Sequence, residues 1–327
     1  MKQRLRLKQF DYHLPAELIA QEPVRPRDHS RLLVLQKKNN KIIHDHFYNL
    51  PKYLQAGDVL VFNNSKVIPA RLYGKKESSG KIEIFLLHKK QNNTWQCLTR
   101  GKIKKQQKII FPKKFIGQII NINDNGTKII KFNKKNILSI GETPTPPYIK
   151  KKSNLQEYQT VYAKYEGSVA APTAGFHFTK KLLQKLRQKG VQLEYVTLHV
   201  GLGTFAPVKT DDITKHKMHT EYFSIADTTC KRIQQAKKEE RRIIAVGTTS
   251  CRTLESNKYK NVTNIFIYPG YKFKNIDALI TNFHLPKSTL LMLVSAFAGT
   301  NKIKKAYQEA INKKYRFYSF GDAMLII

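Results

Sequence analysis

Val196-Thr197-Leu198-His199-Val200-Gly201-Leu202-Gly203-Thr204-Phe205-Ala206-Pro207 is the stretch from which the fold is read. It closes an apolar strand, Val191 to Leu198, with Leu193, Tyr195 and Thr197 on one face and Gln192 and Glu194 on the other. The strand stops on a histidine, and a Gly-x-Gly-Thr loop closed by proline follows. Gly201 and Gly203 carry no Cβ, so the backbone can come close to a bound group. In an open α/β sheet, a loop of this kind at the carboxyl end of a strand is where a small ligand sits. The same design recurs twice. Arg242 to Val246 runs into Gly247-Thr248-Thr249-Ser250 and a helix from Cys251 to Ser256. Ala278 to Thr281 runs into Asn282-Phe283-His284-Leu285-Pro286, and Ser288 then caps an apolar helix, Thr289 to Ala298.

Working outward, the surrounding segments keep the alternation of helix and strand. Thr179 caps a helix in which Leu182, Leu183 and Leu186 share a face, and Gly190 ends it. A polar helix covers Ala226 to Glu240, and a strand is predicted over Asn264 to Tyr268. Upstream, Pro15 to Ala20 reads as a short helix and Arg31 to Leu35 as a strand. Between Gly57 and Pro147 the texture changes. Short β-rich runs (Val59 to Phe62, Ile82 to Leu87, Thr94 to Thr99, Lys108 to Phe111, Gln118 to Ile122, Lys128 to Phe132) are separated by Gly, Asn and Lys turns. That pattern is a small antiparallel β-barrel. The predicted architecture is α/β: a discontinuous mixed α/β main domain, residues 1–57 and 153–327, into which a β-barrel domain, residues 58–152, is inserted.

The chain has 327 residues, 41% of them hydrophobic, enough for a sizeable core. Lys and Arg number 59 against 23 Asp and Glu, a formal net charge of +36, which favours a polyanionic partner, RNA or DNA. The richness in Lys, Asn and Ile is also what an AT-biased genome would produce. Residues 75 to 152 hold 19 of the basic residues and only 4 acidic ones, so the barrel is the predicted electrostatic arm. Cys97, Cys230 and Cys251 form no C-x-x-C pair, so neither a disulfide framework nor a zinc site is indicated. No apolar run reaches the length of a bilayer span, and the charged start has no apolar stretch behind it, so a cytoplasmic protein is expected.

Residues able to do chemistry gather where strands end and helices begin. Ala171-Pro172-Thr173-Ala174-Gly175-Phe176-His177-Phe178-Thr179 stands before a helix N-terminus, a place suited to a carboxylate or phosphate. Thr248, Thr249 and Ser250 offer hydroxyls in the same setting, with Arg252 and Glu255 beyond; Asn282, Phe283 and His284 add an amide, an aromatic face and an imidazole. His177, His199, His219 and His284 all fall in such segments or beside Glu221, which points to general acid–base work. Arg25, Arg27 and Arg31 surround Pro26 as a clamp for phosphate or carboxylate, or as a solvated loop. No His-x-x-x-His or carboxylate triad of metal-site spacing appears, and neither a P-loop nor a full dinucleotide fingerprint is present.

Long motifs carry a resemblance. Phe10-Asp11-Tyr12-His13-Leu14-Pro15, Arg25-Pro26-Arg27-Asp28-His29-Ser30-Arg31, Gly57 to Ser65 with Arg71, and Tyr158-Gln159-Thr160-Val161-Tyr162 form its first half. Ala170 to Thr179, Thr197 to Pro207, Lys217 to Tyr222, Ala245 to Ser256, Tyr268 to Tyr271, Leu279 to Gly299 and Tyr315 to Met324 complete it. Over nearly its full length the chain resembles the S-adenosylmethionine:tRNA ribosyltransferase-isomerase family of bacterial queuosine biosynthesis. Phe176, Leu202 and Cys251 depart from the pattern, and the lysine-rich barrel diverges most.

The resemblance implies an enzyme that uses S-adenosylmethionine as a ribosyl donor and consumes it as a co-substrate, with no resident cofactor and no metal. It implies action on 7-aminomethyl-7-deazaguanine at the tRNA wobble position, giving epoxyqueuosine with release of adenine and methionine. His177 and His199 are the leading acid–base candidates, with His219 and His284 next, while Glu221 would orient a histidine or neutralise the sulfonium. Arg252 and Thr248-Thr249-Ser250 are expected to hold the methionine carboxylate, and Asn282 or Tyr268 to read adenine or the modified base. Thr173, Gly201 and Gly203 complete the expected substrate contacts. Arg25, Arg27, Arg31, Arg71 and barrel lysines are expected to meet a tRNA anticodon stem-loop, and the chain is expected to act as a monomer away from membranes. Two other readings stay open: a basic RNA-binding protein, and an S-adenosylmethionine methyltransferase.

Overall fold

The computed structural model describes residues 5–124, 126–151, 154–201, 208–257 and 260–327. Two paired strands, β1 (Arg31–Leu35) and β2 (Ile42–His46), come first, then β3 (Val59–Asn63) and β4 (Ser65–Val67). Six strands follow in succession: β5 (Arg71–Lys76), β6 (Lys81–Lys89), β7 (Thr94–Arg100), β8 (Lys108–Phe111), β9 (Phe115–Ile122) and β10 (Lys128–Phe132). After β11 (Tyr165–Ser168) helices and strands alternate through α1 (Lys180–Gln188), β12 (Gln192–Leu198), β13 (Glu221–Ser224), α2 (Asp227–Lys238), β14 (Ile243–Val246) and α3 (Gly247–Glu255). The chain finishes with β15 (Val262–Thr263), β16 (Ala278–Asn282), α4 (Thr289–Ala298), α5 (Thr300–Asn312) and β17 (Ala323–Ile326).

Nine strands form one mixed sheet in the order β15-β13-β12-β3-β14-β16-β17-β1-β2. Its centre is parallel: β12 pairs with β3, β3 with β14, and β14 with β16. The carboxyl ends of these four strands therefore share one edge. Strand β17 runs antiparallel to β16, and β1 parallel to β17, so both begin at that same edge. This topology is what places Ser30 beside residues near 177 and 282.

The sequence of β3 explains its central position. Val59, Leu60, Val61 and Phe62 are all buried. Val59 and Val61 pack into a core with residues of α2 to α5, such as Ile233, Leu254, Leu291 and Ile303. Leu60 and Phe62 face the opposite side, with Phe47, Phe178 and the α1 residues Leu182 and Leu186. A strand covered on both faces reads as an unbroken apolar run rather than an alternation. α1 keeps the predicted cap, the Thr179 Oγ1 accepting from the Leu182 N–H at 3.1 Å, and Ser288 caps α4 in the same way.

β5 to β10 close into a barrel with its own core, including Leu72, Ile84, Trp95, Phe111 and Phe132. The sequence expectation needs corrections here. Val59 to Phe62, read as a barrel strand, belongs to the large sheet, because every one of its positions is apolar and buried. The predicted strand over Asn264 to Tyr268 is absent; the short strand β15 precedes it. Pro15 to Ala20 forms only a 3-10 turn, Ala16–Leu18. Glu194, on the polar face of β12, is buried, and Thr229 and Arg232 of α2 donate to its carboxylate. No helix among the described residues is long and apolar enough to cross a membrane.

Candidate active site

Polar side chains at and just beyond the strand ends tie neighbouring segments together along this edge. Asn63, at the end of β3, donates from Nδ2 to the Leu198 carbonyl at 3.0 Å and accepts the Leu198 N–H on Oδ1 at 3.0 Å. Its amide thus continues the β3–β12 ladder where the backbones part. Asn64 accepts from Thr197 Oγ1 at 2.7 Å. Ser168 accepts from the Val200 N–H at 2.8 Å and donates to the Ala170 carbonyl at 2.9 Å. These contacts hold the start of the glycine loop in place.

Between the ends of β14 and β16 lies a cleft. It is lined by Thr173, Gly247, Thr248, Thr249, Asn282 and His284, with Tyr148, Tyr318, Ser319 and Val200 at its walls. Gly247 makes the sharp turn from β14 into α3 at φ +89°, a backbone conformation that glycine alone adopts without strain. The helix begins at Gly247 itself, so Thr248, Thr249 and Ser250 form its first turn and not a preceding loop. The N–H groups of a first turn have no intrahelical acceptors, which suits an anionic ligand. Thr249 Oγ1 and Ser250 Oγ are buried without a hydrogen-bond partner among the described residues.

One wall of the cleft is a relay of side chains. Thr173 Oγ1 donates to Asn282 Oδ1 at 3.0 Å, and Asn282 Nδ2 donates to the Tyr318 carbonyl and to His177 Nε2, each at 3.2 Å. Because Nε2 accepts, the imidazole proton sits on Nδ1 and is donated to Ser30 Oγ at 2.7 Å. His177 is 3% exposed. Burial, with Arg316 and Arg27 nearby, pushes its pKa from 6.5 down to about 3. Both its nitrogens are committed, so the ring supports Asn282 instead of facing the cleft. His284 does line the cleft; its Nε2 lies 2.8 Å from Thr281 Oγ1, and burial pushes its pKa to about 3 as well.

Glu221 and Arg252 form an ion pair, Oε2 with Nη1, both side chains 5% exposed. Glu221 Oε1 accepts the Gly201 N–H at 3.0 Å, and Arg252 Nε donates to the Ile265 carbonyl at 3.3 Å. Arg252 Nη2 is buried without a partner among the described residues. The pair therefore links α3 to the first glycine of the loop. Gly203 and the rest of that loop, residues 202–207, lie outside the described residues.

Other expected residues lie apart. His199 leaves β12 toward the barrel; its Nδ1 is buried without a partner among the described residues, and burial and His88 lower its pKa. His219 is exposed, and Tyr268 packs on Phe266 away from the cleft lining. The four arginines are engaged with protein. Arg27 donates to the carbonyls of Gln159, Glu157 and Gln156, and Arg31 donates to the Lys313 carbonyl with its guanidinium over the Tyr315 ring. Arg25 pairs with Glu157, and Arg71 with Glu83 in the barrel. Among the described residues, no group of three or more His, Cys, Asp or Glu side chains is gathered as a metal site would require. Sequence reasoning missed Ser30, Tyr148 and Tyr318. Ser30 was within reach, standing between His29 and Arg31 in a quoted motif, whereas the tyrosines meet the cleft only through tertiary packing.

The chain matches the family model described as queuosine biosynthesis protein over residues 7–326. A relative named S-adenosylmethionine:tRNA ribosyltransferase-isomerase from Thermotoga petrophila is 50% identical, covering 99% of this chain and 100% of its own. One of the same name from Thermosipho melanesiensis is 53% identical over 98% of this chain and 100% of its own. A crystal structure described as the S-adenosylmethionine tRNA ribosyltransferase of Thermotoga maritima superposes with a TM-score of 0.57 at 40% identity, covering 98% of this chain and 100% of that one. A match over almost every residue, with relatives aligned end to end, makes this chain a member of the queuosine biosynthesis protein family.

Proposed function

We propose that this enzyme transfers and isomerises the ribosyl part of S-adenosylmethionine onto 7-aminomethyl-7-deazaguanine at the wobble position of tRNA. The product is epoxyqueuosine in the tRNA, with adenine and methionine released. Membership of the family and the names of its end-to-end relatives support the reaction class. The observation that carries the donor site is the first turn of α3. Thr248 and Thr249 line the cleft there, whereas Ser250 and Arg252, expected beside them, are not in the cleft lining. The N–H groups of that turn have no intrahelical acceptors, and the Thr249 hydroxyl has no partner among the described residues. A carboxylate such as that of methionine would satisfy them.

The sulfonium of the donor acidifies the hydrogens on the adjacent 5′ carbon, so a side-chain base can remove one. The bond from sulfur to that carbon breaks with the electron pair leaving on methionine sulfur, and the glycosidic bond breaks with the pair leaving on adenine. The tRNA amine, neutral when it attacks, forms the new bond to a ribosyl carbon and gives up one proton; the departing adenine takes up one proton on nitrogen, and the remaining one goes to solvent. His284 is the imidazole in the cleft; held neutral by burial, it is assigned a positioning hydrogen bond to the bound donor. Asn282, both of whose Nδ2 hydrogens are held by His177 and the Tyr318 carbonyl, is assigned acceptance of a base-edge N–H on Oδ1 beside Thr173. Arg252 acts through Glu221 to fix Gly201. The enzyme is further proposed to work as a cytoplasmic monomer without a resident cofactor.

Incubation with S-adenosylmethionine and tRNA carrying 7-aminomethyl-7-deazaguanine tests the reading. Free adenine and methionine are expected, with epoxyqueuosine in the digested tRNA. S-adenosylhomocysteine instead would make the chain a methyltransferase, and no co-product would overturn the reading.

A further inference from the structure

A second cavity, about 830 Å³, opens between the barrel and the large sheet. Its barrel side is formed by His88, Lys89 and Lys90 at the end of β6 and by Lys134 and Lys135 after β10; its floor reaches His199. The four lysines are exposed, and none forms an ion pair among the described residues. Lys134 donates to the Lys113 carbonyl at 3.2 Å. The carboxylate in the groove, Glu166, pairs with Lys66 at 2.9 Å. The cavity thus keeps a surplus of uncompensated positive charge.

Two details show how it is built. A bulge between Leu86 and His88 turns the end of β6 toward the sheet, where His88 stacks on Tyr222 with ring centroids 4.2 Å apart and planes at 19°. Tyr222 remains 48% exposed, so an aromatic ledge borders the groove. At the floor, Gly167 has φ +140°, and a Cβ there would stand 2.8 Å from His199 Nδ1. Glycine leaves room for the imidazole.

We propose that this groove is the track for the phosphodiester backbone of the RNA substrate. The proposal rests on the function assigned above, which makes tRNA the acceptor. The charge argument alone would serve equally for a second cavity on the barrel, about 840 Å³, bordered by Tyr73, Lys75, Lys76, Lys81 and Arg100. Continuity separates the two. His199 at the floor of the first groove is followed directly by Val200, which lines the cleft between β14 and β16. A strand lying in the first groove can therefore deliver a splayed nucleotide to the cleft, with Tyr222 available for stacking. Among the described residues, the cavity beside Tyr73 shares no lining residue and no chain neighbour with the cleft.

The test uses the full chain and two variants of equal charge change. One carries Lys89→Gln, Lys90→Gln, Lys134→Gln and Lys135→Gln; the other carries Lys75→Gln, Lys76→Gln, Lys81→Gln and Arg100→Gln. Binding of an anticodon stem-loop RNA is followed by fluorescence anisotropy over a range of salt, and adenine release is measured against tRNA concentration. The first variant should weaken RNA binding at least about tenfold and flatten the salt slope by about 0.7 to 0.9 per lost contact, while the second stays within about twofold of wild type. KM for tRNA should rise in the first variant, with KM for S-adenosylmethionine unchanged. Equal losses in both variants, or a larger loss in the second, would overturn the groove while leaving the function standing, provided the wild type releases adenine. A wild type that neither binds the RNA nor releases adenine would overturn both.

Discussion

Glu221 at the start of β13 and Arg252 in the last turn of α3 pair with each other in the interior, each side chain 5% exposed, and the other oxygen of Glu221 holds the Gly201 N–H at 3.0 Å. A charge buried this deeply is costly without its partner. Glu221→Ala should lower stability by about 3–5 kcal/mol, because the guanidinium stays buried and unpaired. The double variant Glu221→Leu/Arg252→Met should recover at least about half of that loss, since two apolar side chains have no charge to desolvate. Urea denaturation of the three proteins measures it. If the single variant is as stable as wild type, the pair is not what holds this region.

Thr249 should separate binding from stability. Its hydroxyl is buried without a partner among the described residues, so Thr249→Val removes a group that gains nothing in the free protein. Stability should stay within about 1 kcal/mol of wild type or rise, while KM for S-adenosylmethionine rises about tenfold through the lost bond to a charged group. A variant with unchanged KM would mean that the donor does not use this hydroxyl.

His177→Phe keeps an aromatic ring against Phe47 and removes the acceptor for Asn282 Nδ2. A misplaced amide should cost about ten- to a hundredfold in kcat/KM. The pH–rate profile between about pH 6 and 9 should keep its shape, because a ring whose pKa is about 3 does not titrate there. Loss of one limb of the profile would mean that His177 carries a proton in the reaction after all.

Acid should weaken the fold through His177 and His284. Both have folded-state pKa values near 3, below the ordinary 6.5, owing first to burial. Unfolded chains bind a proton at each ring below about pH 6.5 while the folded protein does not, so stability is fully present above that pH and declines as pH falls toward 3. The loss is about 1.6 kcal/mol per ring between pH 6.5 and 5. Urea midpoints at these two pH values should fall for wild type and fall much less for His177→Phe/His284→Phe. Equal slopes would contradict the assignment.

How far the sequence could be read depended on range. Caps and periods are local, so Thr179 and Ser288 announced α1 and α4, and the turns between short strands announced a barrel. Val59 to Phe62 sits among short strands and so reads locally as part of the barrel, yet its unbroken apolar run is the mark of a central parallel strand. The candidate site divided along the same line. Thr173, Thr248, Thr249, Asn282 and His284 meet in one cleft because the strand ends carrying them share an edge. That His177 would point at Asn282, 105 positions later, and at Ser30, 147 earlier, is a consequence of sheet order that no local pattern encodes. His219 and Tyr268 stood in motifs of the right kind, yet nothing local could show that they face away from the cleft.

The most direct test is a crystal structure of the protein with S-adenosylmethionine bound and tRNA omitted. The donor should lie in the cleft between β14 and β16, with its carboxylate on the N–H groups of the first turn of α3 and within hydrogen-bond reach of Thr249 Oγ1. Density for the donor in the groove beside His88 and His199, with the α3 turn empty, would contradict the account.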